Sequence, residues 1–311
     1  MPFKNLSAAR KITDLHAEVR GGAFLANPGL VAKLSGSPGQ LAIQPISGSG
    51  AKVTKISLDS PEEVALLSRD IAVVRSGDDV WALLDITHTP KMDQVAHHVR
   101  SLHMRPTGES ALALGWDGTA TQLTLNRHEV AARQMQLRGD HRSFDITDTE
   151  VFALVDGADG GQLRVHPGAS PEPGAVSRTN LPKEAASFDR IRAGARLTAI
   201  FKRGSAAVCL ITGGPARPTA KMVQLEAKPT DLAVCETSLF ATFADGRVAL
   251  YDVDAIAASE SGPLTPKATV SLGVRGEPTT MTLSGKGTPT LWIGTSSGEI
   301  VSVTVLRKQA A

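Results

Sequence analysis

Residues 111–125 read ALALGWDGTATQLTL, and residues 239–252 read LFATFADGRVALYD. In both stretches a short apolar run is followed by Asp-Gly and then by a second apolar run. Asp-Gly between two such runs is a strong signal for a β-hairpin, because glycine supplies the positive φ that the tight turn needs. Similar patterns surround Gly160 and Gly298. The chain is therefore predicted to consist largely of repeated hairpins.

The turn glycines recur at a nearly constant spacing along the whole chain. The intervals between them are 38, 41, 42, 44, 42 and 52 residues, and the glycines are Gly39, Gly77, Gly118, Gly160, Gly204, Gly246 and Gly298. A period of about 40–45 residues is that of one four-stranded propeller blade. The 311 residues hold about seven such units. The long last interval is explained by an insertion at Val253–Lys267.

The period predicts an all-β fold, a seven-bladed β-propeller of four-stranded antiparallel blades, as a single domain over residues 1–311. A pair of β-sandwiches or a solenoid also has short strands, but neither needs this period. The last unit offers three strands before the C-terminus. Because an open sheet edge is costly, we expect the N-terminal segment Ala9–Leu15 to supply the missing outer strand and close the ring.

Composition excludes several classes of protein. Lys and Arg number 33 against 31 Asp and Glu, and two cysteines, Cys209 and Cys235, lie in apolar strand-like segments. Neither a polyelectrolyte nor a disulfide scaffold has this composition, and two buried free thiols are favoured over a disulfide. The N-terminus carries charges and no apolar run of signal-peptide length. We expect a cytoplasmic protein without a membrane span.

The stretch Val99–Leu125 resembles the inner two strands of a blade in the WD40-like propeller superfamily. In that pattern a Pro-x-Gly turn precedes the second strand and an Asp-Gly turn follows it. Here these turns are Pro106-Thr107-Gly108 and Asp117-Gly118. Tyr251-Asp252 and Leu84-Asp85 stand where the Trp-Asp pair of such repeats ends the third strand. The Gly-His dipeptide of the family is absent. The resemblance implies a platform for protein–protein interactions.

The residues reveal no convergent catalytic set, and no cofactor or metal is expected. His97 and His98 are adjacent, and residues next to each other on a strand point to opposite faces. Carboxylates recur in the turns between second and third strands, and these are Asp78, Asp79, Asp117, Asp159 and Asp245. Such a partial ring could bind a cation or a basic partner, as in a lactonase-like hydrolase with its site on the rim. Asp also serves these turns through local hydrogen bonds.

Basic residues cluster in the middle of the chain. We predict a candidate interaction surface that consists of Arg138, His141, Arg142, Arg190, Arg192, Arg196, Lys202 and Arg203. If neighbouring blades place them side by side, they form a stripe for acidic peptides or phosphate-bearing ligands. Few aromatic residues are available to stack nucleic-acid bases.

The favoured hypothesis is a non-catalytic scaffold that binds one or more proteins within a cytoplasmic assembly. The alternatives are a rim-site hydrolase and an anion or nucleic-acid binder. The Pro-rich segment His166–Lys183 is expected to leave the fourth blade as an irregular excursion.

Overall fold

The computed structural model describes residues 3–14, 19–25, 30–36, 39–46, 53–104, 110–137, 141–147, 149–157, 160–167, 176–213, 217–252, 263–284 and 288–307. Described residues form 29 strands in seven antiparallel sheets and one 3-10 turn, Lys183–Ala185. By contact the chain divides into two compact units. One comprises residues 11–138 and 293–300, and the other comprises residues 1–10, 139–292 and 301–311.

The first of these units contains three complete blades, each a four-stranded sheet in which strands follow one another in chain order. Blade 1 consists of β3 (Val19–Leu25), β4 (Leu30–Gly36), β5 (Gly39–Pro45) and β6 (Thr54–Ser57). Blade 2 consists of β7 (Pro61–Leu66), β8 (Ile71–Ser76), β9 (Asp79–Leu84) and β10 (Lys91–Ala96). Blade 3 consists of β11 (Val99–Met104), β12 (Ser110–Gly115), β13 (Thr119–Asn126) and β14 (Glu129–Gln136).

The other unit contains the next three blades, built in the same way. Blade 4 consists of β15 (His141–Ile146), β16 (Glu150–Gly157), β17 (Gly160–Pro167) and β18 (Ser177–Asn180). Blade 5 consists of β19 (Arg190–Ala193), β20 (Leu197–Phe201), β21 (Ala207–Thr212) and β22 (Thr219–Gln224). Blade 6 consists of β23 (Pro229–Cys235), β24 (Ser238–Phe243), β25 (Arg247–Asp252) and β26 (Ala268–Ser271).

The last sheet, blade 7, joins the two ends of the chain. It contains β27 (Pro278–Ser284), β28 (Thr290–Thr295) and β29 (Glu299–Arg307), and its outer positions are taken by β1 (Phe3–Leu6) and β2 (Arg10–Asp14), which both pair with β29. The predicted closure of the last blade by the N-terminus is confirmed. The segment Ala9–Leu15 supplies β2, and β1 precedes it as an additional strand that the sequence did not reveal.

The fold class is therefore confirmed as a seven-bladed β-propeller of antiparallel blades. Most turn glycines adopt the predicted positive φ, and they include Gly77, Gly118, Gly160, Gly204, Gly246 and Gly298. One prediction about the fourth blade is wrong. Within the expected excursion His166–Lys183, residues Ser177–Asn180 are the outer strand β18, where Thr179 pairs with Leu163 and is buried. Residues 168–175 lie outside the described residues.

Carboxylates tie the first strands of neighbouring blades together within each unit. Glu63 Oε2 accepts a hydrogen bond from the backbone N–H of Leu102 at 2.6 Å. Asp145 Oδ2 accepts one from Ala193 at 2.7 Å, and Asp231 Oδ2 accepts one from Met281 at 2.9 Å. In all three cases the acid belongs to one blade and the N–H to the next. Because a buried N–H without an acceptor is costly, these acids specify how the blades dock.

Apolar side chains fill the space between blades. The cluster between blades 4 and 5 contains Phe152, Leu163 and Ile211, and the cluster between blades 5 and 6 contains Phe201, Phe243 and Tyr251. All six are almost fully buried. Both cysteines are free, as the sequence predicts; Cys209 is buried within the first of these clusters, whereas Cys235 is only partly buried, contrary to the prediction of two buried thiols. Burial raises the pKa of the Cys209 thiol to about 12, so this cysteine is a packing residue.

Candidate interaction surfaces

Seven of the eight predicted basic residues lie within the described residues, and the structure distributes these seven among several environments. Arg138 lies outside the described residues. His141 is buried and its ring packs on Phe144, with centroids 4.7 Å apart. Its position at the start of β15 therefore places it in the interior of blade 4 rather than on a surface.

Arg142 contacts both its own blade and the segment that connects blade 4 to blade 5. Its Nη1 donates to the carbonyl oxygens of Ala186 and Phe188, and its Nε lies 2.9 Å from Asp156 Oδ1. Gly161 makes this approach possible, since a Cβ there would stand 2.7 Å from the guanidinium. The guanidinium thus fastens the connection between blades 4 and 5.

Arg192 has a comparable role between blades 5 and 6. Its Nη2 donates to Asp231 Oδ1 at 2.8 Å and its Nε to the carbonyl oxygen of Leu232 at 3.0 Å. Asp231 is 2 % exposed and also accepts the N–H groups of Leu232 and Met281. The charge of Arg192 is therefore used inside the molecule, to balance a buried carboxylate.

The remaining four residues lie in blade 5, at the two ends of strand β20. Lys202 and Arg203 are exposed in the turn that follows β20, and Arg190, half-buried, pairs with Phe201 at the same end. Arg196 is exposed in the turn that precedes β20. Five residues of strand separate the two turns, a distance of about 17 Å. The structure brings Arg190, Lys202 and Arg203 together and separates Arg196 from them.

Two of the turn carboxylates, Asp117 and Asp245, serve their own turns, whereas Asp79 accepts a hydrogen bond from Gln94 of the next strand. Asp117 Oδ1 accepts the backbone N–H of Thr119 at 2.9 Å, and Asp245 Oδ2 accepts Arg247 Nε at 2.6 Å. The bonds from Thr119 lower the pKa of Asp117 below its usual value. Asp159 lies outside the described residues. Among the residues that the structure describes, no three His, Cys, Asp or Glu side chains form a group that could hold a metal ion.

The two adjacent histidines, His97 and His98, are exposed in a connection between two strands. Strand β10 ends at Ala96 and β11 begins at Val99, so His97 and His98 lie in the connection rather than on a strand. Their rings contact edge to face, with centroids 5.4 Å apart, and His98 has a φ of 54°. The argument from opposite strand faces therefore does not apply to them.

Trp116 is the residue that the sequence reasoning missed. It follows β12 in the Asp-Gly turn of blade 3 and is 64 % exposed, more than any other large hydrophobic residue described. Its indole Nε1 donates to Asp78 Oδ1 of blade 2 at 3.3 Å, and the Arg100 guanidinium lies 5.3 Å from the ring centroid. We call Trp116, Asp78 and Arg100 the tryptophan patch.

The backbone fixes the tryptophan patch in place. The N–H of Trp116 donates to the carbonyl oxygen of His98, and the N–H of Val99 donates to that of Asp78. Gly115 leaves room for the turn, because a Cβ there would stand 2.6 Å from Asp117 Oδ1. A large aromatic side chain held rigidly at the surface is typical of the anchor residues of protein interfaces. Its only sequence signal was a tryptophan at a turn position, where polar residues are usual.

Comparisons with known proteins bear on the fold. No family model matches the sequence, and no curated protein sequence matches it. The solved crystal structure of Saccharomyces cerevisiae Sqt1 superposes with a TM-score of 0.63 at 12 % identity, over 99 % of this chain and all of that one. The fold is a WD40-like β-propeller. Because 1356 solved chains match this propeller, the likeness shows architecture and leaves function to the surfaces.

Proposed function

We propose that this WD40-like propeller is a non-catalytic scaffold that binds partner proteins within a cytoplasmic assembly, with the tryptophan patch as a main contact. The exposed indole of Trp116 carries this proposal. A partner that buried the exposed part of the ring would gain about 2–4 kcal/mol, the contribution of an interface hot spot. The fold supports it too, because rigid sheets with variable turns suit contact surfaces. In the part of the chain that the structure describes, no helix is long and apolar enough to cross a membrane.

Affinity purification with mass spectrometry tests the proposal. The tagged wild-type chain is compared with Trp116→Ala and with a matched control, Met92→Ala, which removes another exposed hydrophobic side chain of the same unit. We expect a reproducible set of proteins with the wild type and the control, and at least a tenfold loss (about 1.4 kcal/mol) with Trp116→Ala. Equal recovery by all three chains would contradict the role of the tryptophan patch.

A second candidate, anion binding, is favoured by the end of blade 5 that carries Arg190, Lys202 and Arg203. Neither Lys202 nor Arg203 has an ion-pair partner among the described residues, and both are exposed. Acidic peptides or phosphate-bearing ligands bound there would be held mainly by charge. Their affinity would then fall as salt is raised. A flat salt dependence would exclude this candidate.

We further propose that residues 1–311 unfold as a single domain. Support comes from blade 7, in which β29 contributes residues to both compact units and pairs with strands from the N-terminus. Urea denaturation followed by circular dichroism and by tryptophan fluorescence should give coincident transitions. Two separated transitions would contradict the proposal.

A further inference from the structure

The surface around Trp116 carries carboxylates from three connections at one end of blades 2 and 3. Asp78 and Asp79 belong to the turn between β8 and β9, and Asp117 follows Trp116 in the turn between β12 and β13. Asp59 lies in the connection that leads into blade 2, and its carbonyl oxygen accepts a hydrogen bond from the serine hydroxyl at the end of β8. Three of these acids, Asp59, Asp78 and Asp117, are exposed, and Asp79 is half-buried.

Few positive charges offset these carboxylates. In the part of blades 2 and 3 that the structure describes, the cations at this end are Arg75 and Arg100. Arg75 is buried, and its guanidinium donates to Glu62 Oε2 at 2.6 Å and to Glu63 Oε2 at 2.7 Å, so its charge is already balanced. Although the whole chain has a net charge of +2, the surface around Trp116 is therefore negative.

These carboxylates retain acceptor capacity for a partner. Asp78 uses Oδ1 for the indole Nε1, and its Oδ2 has no hydrogen-bond partner among the described residues. The carboxylate of Asp59 has none within the same described ranges. Hydrogen bonds from Thr119 lower the pKa of Asp117, which keeps this group ionised at neutral pH. An ionised carboxylate has about four acceptor positions.

The indole adds an aromatic face beside these charges. Arg100 is half-buried and its guanidinium carbon lies 5.3 Å from the ring centroid, whereas most of Trp116 is exposed. The ring face turned away from Arg100 is thus open to solvent. An indole face attracts cations, and it can also cover the alkyl stem of an arginine or lysine. Aromatic face and carboxylates together favour a cationic side chain.

The corresponding turn of blade 5 has the opposite charge. It lies between β20 and β21 and carries Lys202 and Arg203, both exposed. Its glycine, Gly204, has a positive φ like Gly77 and Gly118 in blades 2 and 3. Because the same turn accepts either charge, the fold does not require acids around Trp116. Their presence there is a property of this surface.

We propose that the tryptophan patch and the carboxylates beside it bind a short basic segment of a partner protein. An arginine or lysine stem lies on the open face of the Trp116 indole, and cationic groups bind the carboxylates of Asp78 and Asp59. An acidic segment or a nucleic acid would meet these carboxylates with like charge. The inference rests on the proposed function, since it names the class of partner for the same contact.

Peptide titration at about pH 8, where histidine side chains are neutral, tests the basic segment. The probe is the end-blocked peptide Gly-Arg-Ala-Arg-Ala-Arg-Gly, and the control peptide has Glu in place of every Arg. We expect the arginine peptide to change the tryptophan fluorescence with a Kd of about 10–300 µM, and the glutamate peptide to bind at least tenfold more weakly. Trp116→Ala should weaken the arginine peptide by about tenfold. Equal binding of the two peptides, or no binding at about 1 mM, would overturn the proposal.

A charge-neutralising pair locates the binding. Asp78→Asn keeps an oxygen that can accept the indole N–H, and it should weaken the arginine peptide by about fivefold or more. Asp85→Asn makes the same change at the opposite end of β9, about 20 Å away along six strand residues. Residue 85 has a φ of 56°, which asparagine tolerates, and this control should change Kd by less than about twofold. Equal losses for the two variants would overturn the site.

Capture of partner proteins separates this inference from the proposed function. Loss of partners with Trp116→Ala but full capture by Asp78→Asn refutes the basic segment and leaves the proposed function standing. Full capture by Trp116→Ala, with peptide binding that still depends on Asp78, refutes the proposed role in capture and leaves the basic-segment site standing. Sedimentation of the protein alone tests a second copy as the occupant. A dimer that Lys202→Glu/Arg203→Glu dissociates would assign the site to the basic end of blade 5 and overturn the proposal.

Discussion

The positions of Arg192 and Trp116 are the opposite of those that their residue types suggest. Arg192 belongs to a basic cluster predicted to face solvent, yet its guanidinium is bound to Asp231 and to two carbonyl oxygens. Trp116 is of a type usually found inside, yet it is the most exposed large hydrophobic residue described. In this propeller, the ion pair of Arg192 with Asp231 holds two blades together. The exposed apolar side chain of Trp116, in a turn, is the feature available to a partner.

Removal of the carboxylate at the blade 5–6 junction should have the largest effect. Asp231→Ala leaves two backbone N–H groups and Arg192 without their acceptor, and should lower the free energy of unfolding by about 3 kcal/mol. Urea denaturation measures this. Asp245→Ala, an exposed turn acid that bonds Arg247, is the control and should cost less than about 1 kcal/mol. Equal costs would contradict the distinction between a carboxylate that joins two blades, such as Asp231, and a carboxylate that bonds within its own turn, such as Asp245.

Arginine truncations should separate the internal from the exposed members of the basic cluster. We expect Arg192→Ala to cost about 2 kcal/mol of unfolding free energy, because it leaves the buried Asp231 with one donor fewer. Arg203→Ala should stay within about 0.5 kcal/mol. A double-mutant cycle between Arg192 and Asp231 should reveal a coupling of at least about 1 kcal/mol. Additive effects would show that the pair contributes nothing as a pair.

Truncation of Trp116 should barely alter stability. The indole loses one hydrogen bond and its contact with Arg100, so Trp116→Ala should lower the free energy of unfolding by less than about 1 kcal/mol. The thermal midpoint, compared with that of Met92→Ala, measures this. A cost as large as that of Asp231→Ala would mean that Trp116 is a structural residue rather than a contact residue.

The smallest effect concerns Asp117 and pH. Hydrogen bonds from Thr119 lower the pKa of Asp117 in the folded state. A carboxyl group whose pKa is lowered on folding stabilises the folded state at pH values above its unfolded pKa. This stabilisation is lost as the pH falls through the folded pKa. Wild type should therefore melt slightly above Asp117→Asn at pH 7. The difference should shrink as pH falls below about 3.8. A difference that grows on acidification would reverse the sign and refute the account of this turn.

Much of the fold was predictable because the blades repeat their turns. Glycine with a positive φ is local information, so the hairpins of blades 3, 6 and 7 were predicted to within a few residues. Strand β18 was missed, because Ser177–Asn180 is polar and follows a Pro-rich stretch. Its strand character comes from pairing with Leu163, which is tertiary information.

The candidate surfaces were less predictable. A cluster of basic residues in sequence does not reveal which side chains reach carbonyl oxygens of the next blade, as Arg142 and Arg192 do. In the sequence, the carboxylates that join neighbouring blades, such as Glu63, also cannot be distinguished from ordinary strand residues. Trp116 acquires its meaning from the residue that stands beside it in space, Asp78 of the neighbouring blade.

Capture of partner proteins by two matched variants tests the central claim most directly. One variant is Trp116→Ala, and the other is the triple variant Arg190→Ala/Lys202→Ala/Arg203→Ala, which removes the cations at one end of blade 5. Quantitative mass spectrometry of the co-purified proteins should show a loss of about tenfold or more for Trp116→Ala and a loss of less than about threefold for the triple variant. The opposite ranking would contradict the account and assign the contact to the basic end of blade 5.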